Sequence, residues 1–460
     1  MLNYTHKLNI NFLKFNIIKN YIYCNFFFLY KIKNYLSNNY LHNLLTKKKI
    51  QYFDYNRKNN KNIFQKKKII LIAGNLKFGG SEKQLINMYD NLKKKYNVYI
   101  YFIETEKNYN VKIKKLVKNY KCRFVKIYNF SEKKILKRFY KNNENTINFI
   151  KKLNFFNKQE FLIGCYLFYL LKKEKPEIIH TYTEVFSIIG GFCGLQLNLK
   201  KIIIHTDITP SKLSFYRPYF KESFRYFSLQ KNIKIICNNI VEKKQFETWL
   251  NIKNKIITIY NTHNFFKKKI KFNKPYNFLK KENEIVFGTV IRLEHDKRPF
   301  YLIKVFLELF KIKKNIKFYI LGDGKLKNKI NKYLHKKKID NKIFLLGNKL
   351  KPLNYMHYFD YFLLLSRIEG MPNVIAESIN AQTKVITNNV GGCRELIMKN
   401  KTGYILNGDS EIVNALEINK IISKNDAKKI LITNKIKLFY KKFSSSVIVN
   451  QISKLYEEKI

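Results

Sequence analysis

Residues 360–395 read DYFLLLSRIEGMPNVIAESINAQTKVITNNVGGCRE, and the fold is decided here. Tyr361 to Leu365 is a short continuous apolar run, the pattern of a strand buried on both faces of a parallel sheet. Ser366 to Met371 breaks that run with a turn containing Gly370. Pro372 suits the first helical position, where the N–H it lacks would have no partner. The pattern predicts a helix through Glu377 to about Ala381, and Val385 to Thr387 supplies the next strand. Such a strand–loop–helix–strand unit sets its loop at the carboxyl end of a parallel strand, where open α/β sheets bind ligands.

Two carboxylates frame the loop. Glu369 lies on it and Glu377 about one turn inside the helix, with seven residues between them, so both can face one crevice. The N–H groups of Asn373 and Val374 at the helix start make a site for a phosphate. Spacing alone says little, since a glutamate on a helix is ordinarily a solvated face. The longer string Ser366-Arg-Ile-Glu-Gly-Met-Pro-Asn-Val-Ile-Ala-Glu, followed by Val390-Gly-Gly and Glu395, is more specific. It closely resembles the donor-site signature of retaining glycosyltransferases of family 4, which have the GT-B fold. The resemblance implies an α/β protein of two Rossmann-like, doubly wound domains facing across a cleft. It implies donor contacts at Gly370, Met371, Pro372, Asn373, Val374 and Glu377, with Glu369 against the donor sugar.

At 460 residues the chain is too long for one compact core, so two domains with appendages are expected. Lys and Arg total 90 against 32 acids, a net charge of +58. Such a charge suits nucleic acid or an anionic membrane as partner. The cations are spread along the whole chain, and Lys, Asn, Ile, Tyr and Phe are abundant together, as drift in an AT-rich genome produces. Contact with an anionic membrane surface is then a secondary benefit. Six cysteines show no CxxC pair and no regular spacing, which argues for a reducing cytoplasm and against a disulfide frame or zinc site. No apolar run reaches the ~18 residues that a spanning helix needs.

Residues 1–65 hold eleven Lys or Arg against the single acid Asp54, a basic aromatic extension. Its run from Tyr21 to Tyr30 is too short and polar to span a bilayer and has no small-residue cleavage site. The extension reads either as a surface anchor or as a poorly ordered arm.

An acceptor-side domain is predicted over 66–261, opening with the buried strand before Gly74. Gly79-Gly80 follow, and a glycine pair lets backbone approach a ligand closely. Ser81 with Gln84 three residues on has the form of a capping box for the next helix. Gly80 resembles the glycine-rich loop that begins the same enzyme family. Strands are predicted at Tyr96–Ile103, Cys122–Ile127, Lys175–His180, Lys201–Asp207, Ile233–Cys237 and Lys255–Tyr260, with the spacing of βαβ crossovers. His180 and His205 each close an apolar run, so both are expected at the carboxyl edge of the sheet. A histidine there is commonly structural. The resemblance singles out His205 as the active-site histidine facing the donor sugar.

Residues 262–283, charged and aperiodic around Pro275, read as a linker. A nucleotide-sugar-binding domain is predicted over 284–428 and a helical tail over 429–460; in the family such a tail crosses back onto the first domain. Arg292 and Lys297 follow the strand that ends near Ile291, and surface cations are ordinarily just solvated. The pattern Gly-x-x-x-Arg-Leu and Lys-Arg-Pro nevertheless resembles the family's diphosphate clamp, which needs a bidentate Arg and a point-charge Lys. Gly322-Asp-Gly324 resembles its nucleotide-side loop. The chain departs from the family at Asn261-Thr262, where Asn-Gly is usual, at Thr383-Lys384, where Gly-Pro is usual, and at Asn239, where Ser is common.

The resemblance implies transfer of a hexosyl group from a nucleotide diphosphate sugar, UDP-sugar favoured, to a glycan or lipid-linked acceptor of a bacterial surface-polysaccharide pathway. It implies no cofactor and no metal, cations and amides serving instead. The net charge, the basic extension and the absence of a spanning run point to a peripheral place at the inner face of the cytoplasmic membrane, where a lipid-linked acceptor would also lie. A nucleotide-sugar 2-epimerase shares the fold, and would isomerise donor supplied alone. A catalytically dead scaffold should have lost the clamp, which is present. A nucleic-acid binder would rest on charge alone, without a stacking or zinc motif, so no nucleic-acid partner is expected.

Overall fold

The computed structural model describes residues 66–74, 80–104, 117–126, 158–206, 210, 219–263, 265–266, 271–276, 278–339, 341–424 and 429–459. The extension 1–65 and Gly79 lie outside the described residues.

The first sheet holds β1 (Lys68–Ala73), β2 (Asn97–Glu104), β3 (Cys122–Lys126), β4 (Ile178–Tyr182), β5 (Lys201–Thr206), β6 (Ile233–Cys237) and β7 (Ile256–Thr258). Its helices are α1 (Gly80–Leu92), α2 (Lys158–Glu174), α3 (Glu184–Gln196), α4 (Phe220–Ser228) and α5 (Ile240–Leu250). The order across the sheet is β3-β2-β1-β4-β5-β6-β7, every pairing parallel. Chain order reverses between β1 and β4, which opens a crevice at their carboxyl ends.

The second sheet holds β8 (Ile285–Val290), β9 (Ile316–Leu321), β10 (Ile343–Gly347), β11 (Tyr361–Leu364), β12 (Lys384–Asn388) and β13 (Gly403–Leu406). It is also all parallel, ordered β10-β9-β8-β11-β12-β13, with its own reversal between β8 and β11. Its helices are α6 (Pro299–Ile312), α7 (Lys327–Lys336), α8 (Pro352–Tyr358), α9 (Asn373–Asn380), α10 (Cys393–Leu396) and α11 (Glu411–Ser423). Two more, α12 (Asn434–Lys441) and α13 (Ser445–Glu457), end the chain. The chain is thus two doubly wound sheets whose crevices face one another, as the sequence pattern implied.

Apolar runs become strands here because helices cover both faces of each sheet. Ile69 to Ile72 and Ile202 to Ile204 are fully buried. Helix α6 shows the complementary helical spacing. Pro299 starts it at a position that needs no N–H, and Leu302, Ile303, Val305, Phe306 and Leu309 bury one face. Each such side chain contributes about 1.5–3 kcal/mol by leaving water. Phe306 stacks 5.3 Å from Phe318 of β9, so Phe306→Ala would open a cavity at a cost of about 3–5 kcal/mol.

The end of the chain spans both cores. Ile436, Tyr440 and Phe443 pack into the second core, whereas Ile448, Ile452 and Tyr456 of α13 join the first, against α1. The Tyr456 hydroxyl lies 2.8 Å from Nδ1 of buried His180, and Lys234 pairs with Glu458 at 3.0 Å. Near the crossing, the His263 N–H donates to the Phe443 carbonyl and Phe265 stacks on Tyr440 at 4.3 Å.

Three local expectations are corrected. Helix α9 begins at Asn373 with Pro372 as its N-cap, one residue later than predicted, because Pro372 keeps an extended ψ of 111°. Helix α1 includes Gly80 and Ser81, so Ser81 is not its cap, and the Gln84 side chain reaches across the cleft instead of back along the helix. His180 does not end its strand. β4 runs on through Tyr182, leaving His180 wholly buried behind the edge.

Candidate active site

The two crevices enclose one cavity of about 500 Å³. All eleven residues picked from the sequence line it: Gly80, His205, Arg292, Lys297, Glu369, Gly370, Met371, Pro372, Asn373, Val374 and Glu377. His180 does not.

On the C-terminal side, charges are arranged in pairs. Lys297 ends a short 3-10 turn, and its Nζ lies 2.7 Å from Oε1 of Glu369, which is only 7% exposed. Asp296 stands between the cations, 3.3 Å from Arg292 and 4.0 Å from Lys297. Arg292 keeps most of its side chain exposed, free to turn toward a ligand. Two cations and two carboxylates therefore meet where the sequence indicated only a cationic clamp. An anion bound there can pair with the cations and release Glu369 and Asp296 to accept from hydroxyls.

The loop carrying Glu369 is fixed from behind. The Gly392 N–H donates to the Gly370 carbonyl at 2.7 Å, and the Asn388 amide donates to the Ser366 carbonyl at 2.9 Å. Gly391 has φ +51°, and a Cβ there would stand 2.0 Å from the Glu369 carbonyl oxygen. Only glycine permits that approach. Burial pushes the Cys393 thiol beneath the loop up to about 12, the charge of Glu369 adding to it, so the thiol stays protonated. Gly322 closes the neighbouring turn, since a Cβ at its φ of +134° would overlap the Ile291 carbonyl.

Helix α9 aims its first N–H groups, those of Asn373 and Val374, at the cavity end of the helix dipole. About one turn on, Glu377 accepts from Lys83 of the other domain at 2.8 Å. Asn373 has a second task that its place in the motif did not reveal. Its side-chain amide donates to the Gly80 carbonyl at 3.0 Å, and its oxygen accepts from Gln84 at 2.9 Å and from Asn261 at 3.4 Å. Gln84 in turn accepts from the Thr262 N–H and hydroxyl at 2.8 and 2.9 Å. Thr262 at the usual Gly position thus adds a hydroxyl to the seam between the domains. A further link joins Glu395 to the Ile240 N–H at 2.9 Å, at the start of α5, whose N-cap is Asn239. Asn239 accepts from the Glu242 N–H, the capping task a serine would perform.

The N-terminal wall is built from the ends of β4 and β5. His205 is 8% exposed and stands 4.9 Å from the ring of Tyr182, which stacks 4.6 Å from His180. Burial, then the nearby His205, holds His180 well below the usual imidazole range, so it stays neutral. Tyr182 and Thr183 also line the cavity, and nothing in the sequence reading singled them out. The rule that ligands gather at strand carboxyl ends would have found them had β4 been traced to Tyr182. Lys83, Gln84 and Asn261 were missed because each acts across the domain seam. Among the described residues no group of three or more His, Cys, Asp or Glu side chains is placed to hold a metal ion.

Residues 271–438 match the family described as glycosyl transferases group 1. An uncharacterized glycosyltransferase of Methanocaldococcus jannaschii is 26% identical over 255 residues, 51% of this chain and 62% of that protein. The Vi polysaccharide biosynthesis protein VipC/TviE of Salmonella typhi is 23% identical, with only 40% of its length covered. The chain therefore spans less than two thirds of either relative. The UDP-Gal:alpha-D-GlcNAc-diphosphoundecaprenol alpha-1,3-galactosyltransferase of Escherichia coli is 29% identical over 58% of this chain and 73% of its own. Among solved structures, Anabaena HepE in complex with UDP superposes with a TM-score of 0.62 at 15% identity, over 84% of this chain and 98% of its own. At that identity the likeness shows the fold.

Proposed function

We propose that this chain, a glycosyl transferase of group 1 with the GT-B fold, moves a hexosyl group from a nucleotide diphosphate sugar to a glycan or lipid-linked acceptor, with retention at the anomeric carbon. The observation that carries the reading is the convergence, in one interdomain cavity, of Lys297, Arg292, the α9 N-terminus and the carboxylates Glu369 and Glu377. Transfer breaks the bond from the anomeric carbon to the diphosphate oxygen and forms a bond to an acceptor hydroxyl, whose proton passes to the departing diphosphate. Negative charge grows on the departing diphosphate. Lys297, Arg292 and the amides of Asn373 and Val374 stabilise that charge in a partly dried site, where preorganised donors act most strongly. Glu377, turned from Lys83, receives the ribose hydroxyls. Glu369, released from Lys297, accepts from hydroxyls of the donor sugar, and His205 faces that sugar from the opposite wall. No metal or cofactor takes part in this reading, and UDP-sugar is the favoured donor, in keeping with the E. coli relative's name.

A thermal-shift screen against UDP-, GDP- and ADP-sugars tests the reading, since a ligand that binds the folded state raises apparent stability by mass action. A rise with one nucleotide class supports it, and no rise with any contradicts it. The reading extends to a peripheral place at an anionic membrane surface on the cytoplasmic side. The net charge of +58 supports this, and no helix among the described residues is long and apolar enough to cross a membrane. Flotation with anionic vesicles should succeed at low salt and fail at high salt. Failure at low salt would remove the membrane from the account.

A further inference from the structure

A row of rings connects the cavity to the end of the chain. Side chains two apart on a strand share a face, so His180 and Tyr182 of β4 lie together, and Tyr182 pairs in register with His205 of β5. The Tyr182 ring stands 4.6 Å from His180 and 4.9 Å from His205, and the two imidazoles are 5.8 Å apart. His205 lines the cavity, whereas His180 is wholly buried.

Helix α13 covers this face of the sheet. Ile448, Ile452 and Tyr456 recur every four positions, so they form one stripe, and they are buried with Tyr182 and Ile203. An apolar side chain would complete the stripe, yet its third member carries a hydroxyl. That hydroxyl lies 2.8 Å from Nδ1 of His180, and among the described residues the other ring nitrogen, Nε2, has no partner. Burial keeps the Tyr456 hydroxyl protonated and His180 neutral, so the bond joins uncharged groups. The end of the helix is held separately. Glu457 accepts from the Tyr96 hydroxyl at 3.0 Å, and Glu458 pairs with Lys234 at 3.0 Å.

Stability does not account for this polar pair, because two buried partners can be exchanged for apolar groups of similar shape at little cost. Orientation does. The second torsion of a histidine is broad by itself, and the Tyr456 bond fixes it for His180. The His180 ring in turn stacks on Tyr182, which stands against His205.

We propose that Tyr456 is a positioning residue of the active site, acting through His180 and Tyr182 to hold the His205 ring toward the cavity. The proposal rests on the reading of the cavity as a sugar-transfer site in which His205 faces the donor sugar. It gives the C-terminal tail a part in turnover although Tyr456 is not among the residues lining the cavity. The charged groups that receive the donor diphosphate lie on the opposite wall. A His205 ring held less firmly should therefore cost transition-state fit rather than donor binding.

The test uses the full chain with Tyr456→Phe, which deletes the hydroxyl and keeps the ring against Tyr96 and His180. The kcat should fall roughly fivefold, the scale of one neutral hydrogen bond, with KM for the donor unchanged. In a His180→Leu background the same change should lower kcat no further, because the route is already cut. Magnetic resonance of labelled histidine rings supplies a readout that needs no turnover. The His205 signals, identified by their loss in His205→Gln, should move in Tyr456→Phe. Unmoved His205 signals, or a wild-type kcat in the variant, would reduce Tyr456 to packing and overturn the proposal, whatever the urea midpoint does. A fivefold loss that persists in the His180→Leu background would overturn it as well. If wild type transfers sugar from no donor, the transferase reading fails, while the ring signals still decide whether Tyr456 holds His205.

Discussion

The two walls of the cavity differ in how their polar groups are satisfied. Among its described lining residues, the C-terminal wall presents seven charged side chains, Arg292, Asp296, Lys297, Asp323, Lys349, Glu369 and Glu377, while the N-terminal wall presents one, Lys83. The charged wall is largely self-satisfied: Lys297 has Glu369, Arg292 has Asp296, and Glu377 borrows Lys83 from across the cleft. The N-terminal wall instead holds, shut off from water, the hydroxyls of Tyr182 and Thr183, which have no hydrogen-bond partner among the described residues. A charged group cannot be left buried and unpaired, because its desolvation costs several kcal/mol, so ion pairs hold such groups until ligand arrives. A hydroxyl costs far less to leave unpaired. The C-terminal wall is therefore expected to exchange partners on binding, while the buried hydroxyls of the other wall keep their surroundings.

The largest break in this comparison should come from the charged wall. Lys297→Ala and Arg292→Ala are each expected to lower turnover by at least ~100-fold, the scale of losing one group that stabilises developing charge. Steady-state rates with the donor identified by the stability screen will check this, and near wild-type rates in both would remove the diphosphate clamp.

The seam should respond next. Gln84 joins Thr262 and Asn373, so Gln84→Leu leaves buried polar groups on both domains without partners. A loss of about 1–3 kcal/mol is expected in urea unfolding. Unchanged stability would mean that Gln84 contributes nothing to holding the seam.

A graded effect should come from two buried histidines. Burial lowers His263 to about 3, and burial with the nearby His205 lowers His180 in the same direction. Both are neutral when folded and take up protons more readily when unfolded. Their contribution to stability is therefore complete above about pH 6.5 and is lost as pH falls below it, by at most about 1.4 kcal/mol per pH unit for each histidine. Urea midpoints between pH 7.5 and 5 will show the decline. His263→Gln should flatten it, and an unchanged slope in that variant would exclude His263 as a source.

What the sequence disclosed follows the same division. Charged residues fall in strings such as Arg292 to Lys297 and Glu369 to Glu377, with glycines and a proline that fix their turns, so a linear reading finds them. The strands were legible because burial on both faces demands continuous apolar runs, although β13, four residues beginning with glycine, gave too little pattern to be foreseen. Gln84 was misread because its spacing from Ser81 matches a capping box, a local pattern overruled by partners 178 and 289 residues away. Tyr182 and Thr183 were invisible because a missing hydrogen bond and the positive φ of Thr183 exist only in three dimensions. His180 was misplaced because β4 continues two residues past it, at the edge where Tyr182 takes its place.

The division between the walls is tested most directly by titrating UDP into wild type, Glu377→Ala and Tyr182→Phe in a calorimeter. UDP carries the ribose and diphosphate but no hexose. A ribose contact is made equally in ground and transition states, so its loss appears as weaker binding. Glu377→Ala should bind UDP about tenfold more weakly, and Tyr182→Phe should bind it as wild type does. Equal affinity in wild type and Glu377→Ala, or an equal loss in both variants, would contradict the account.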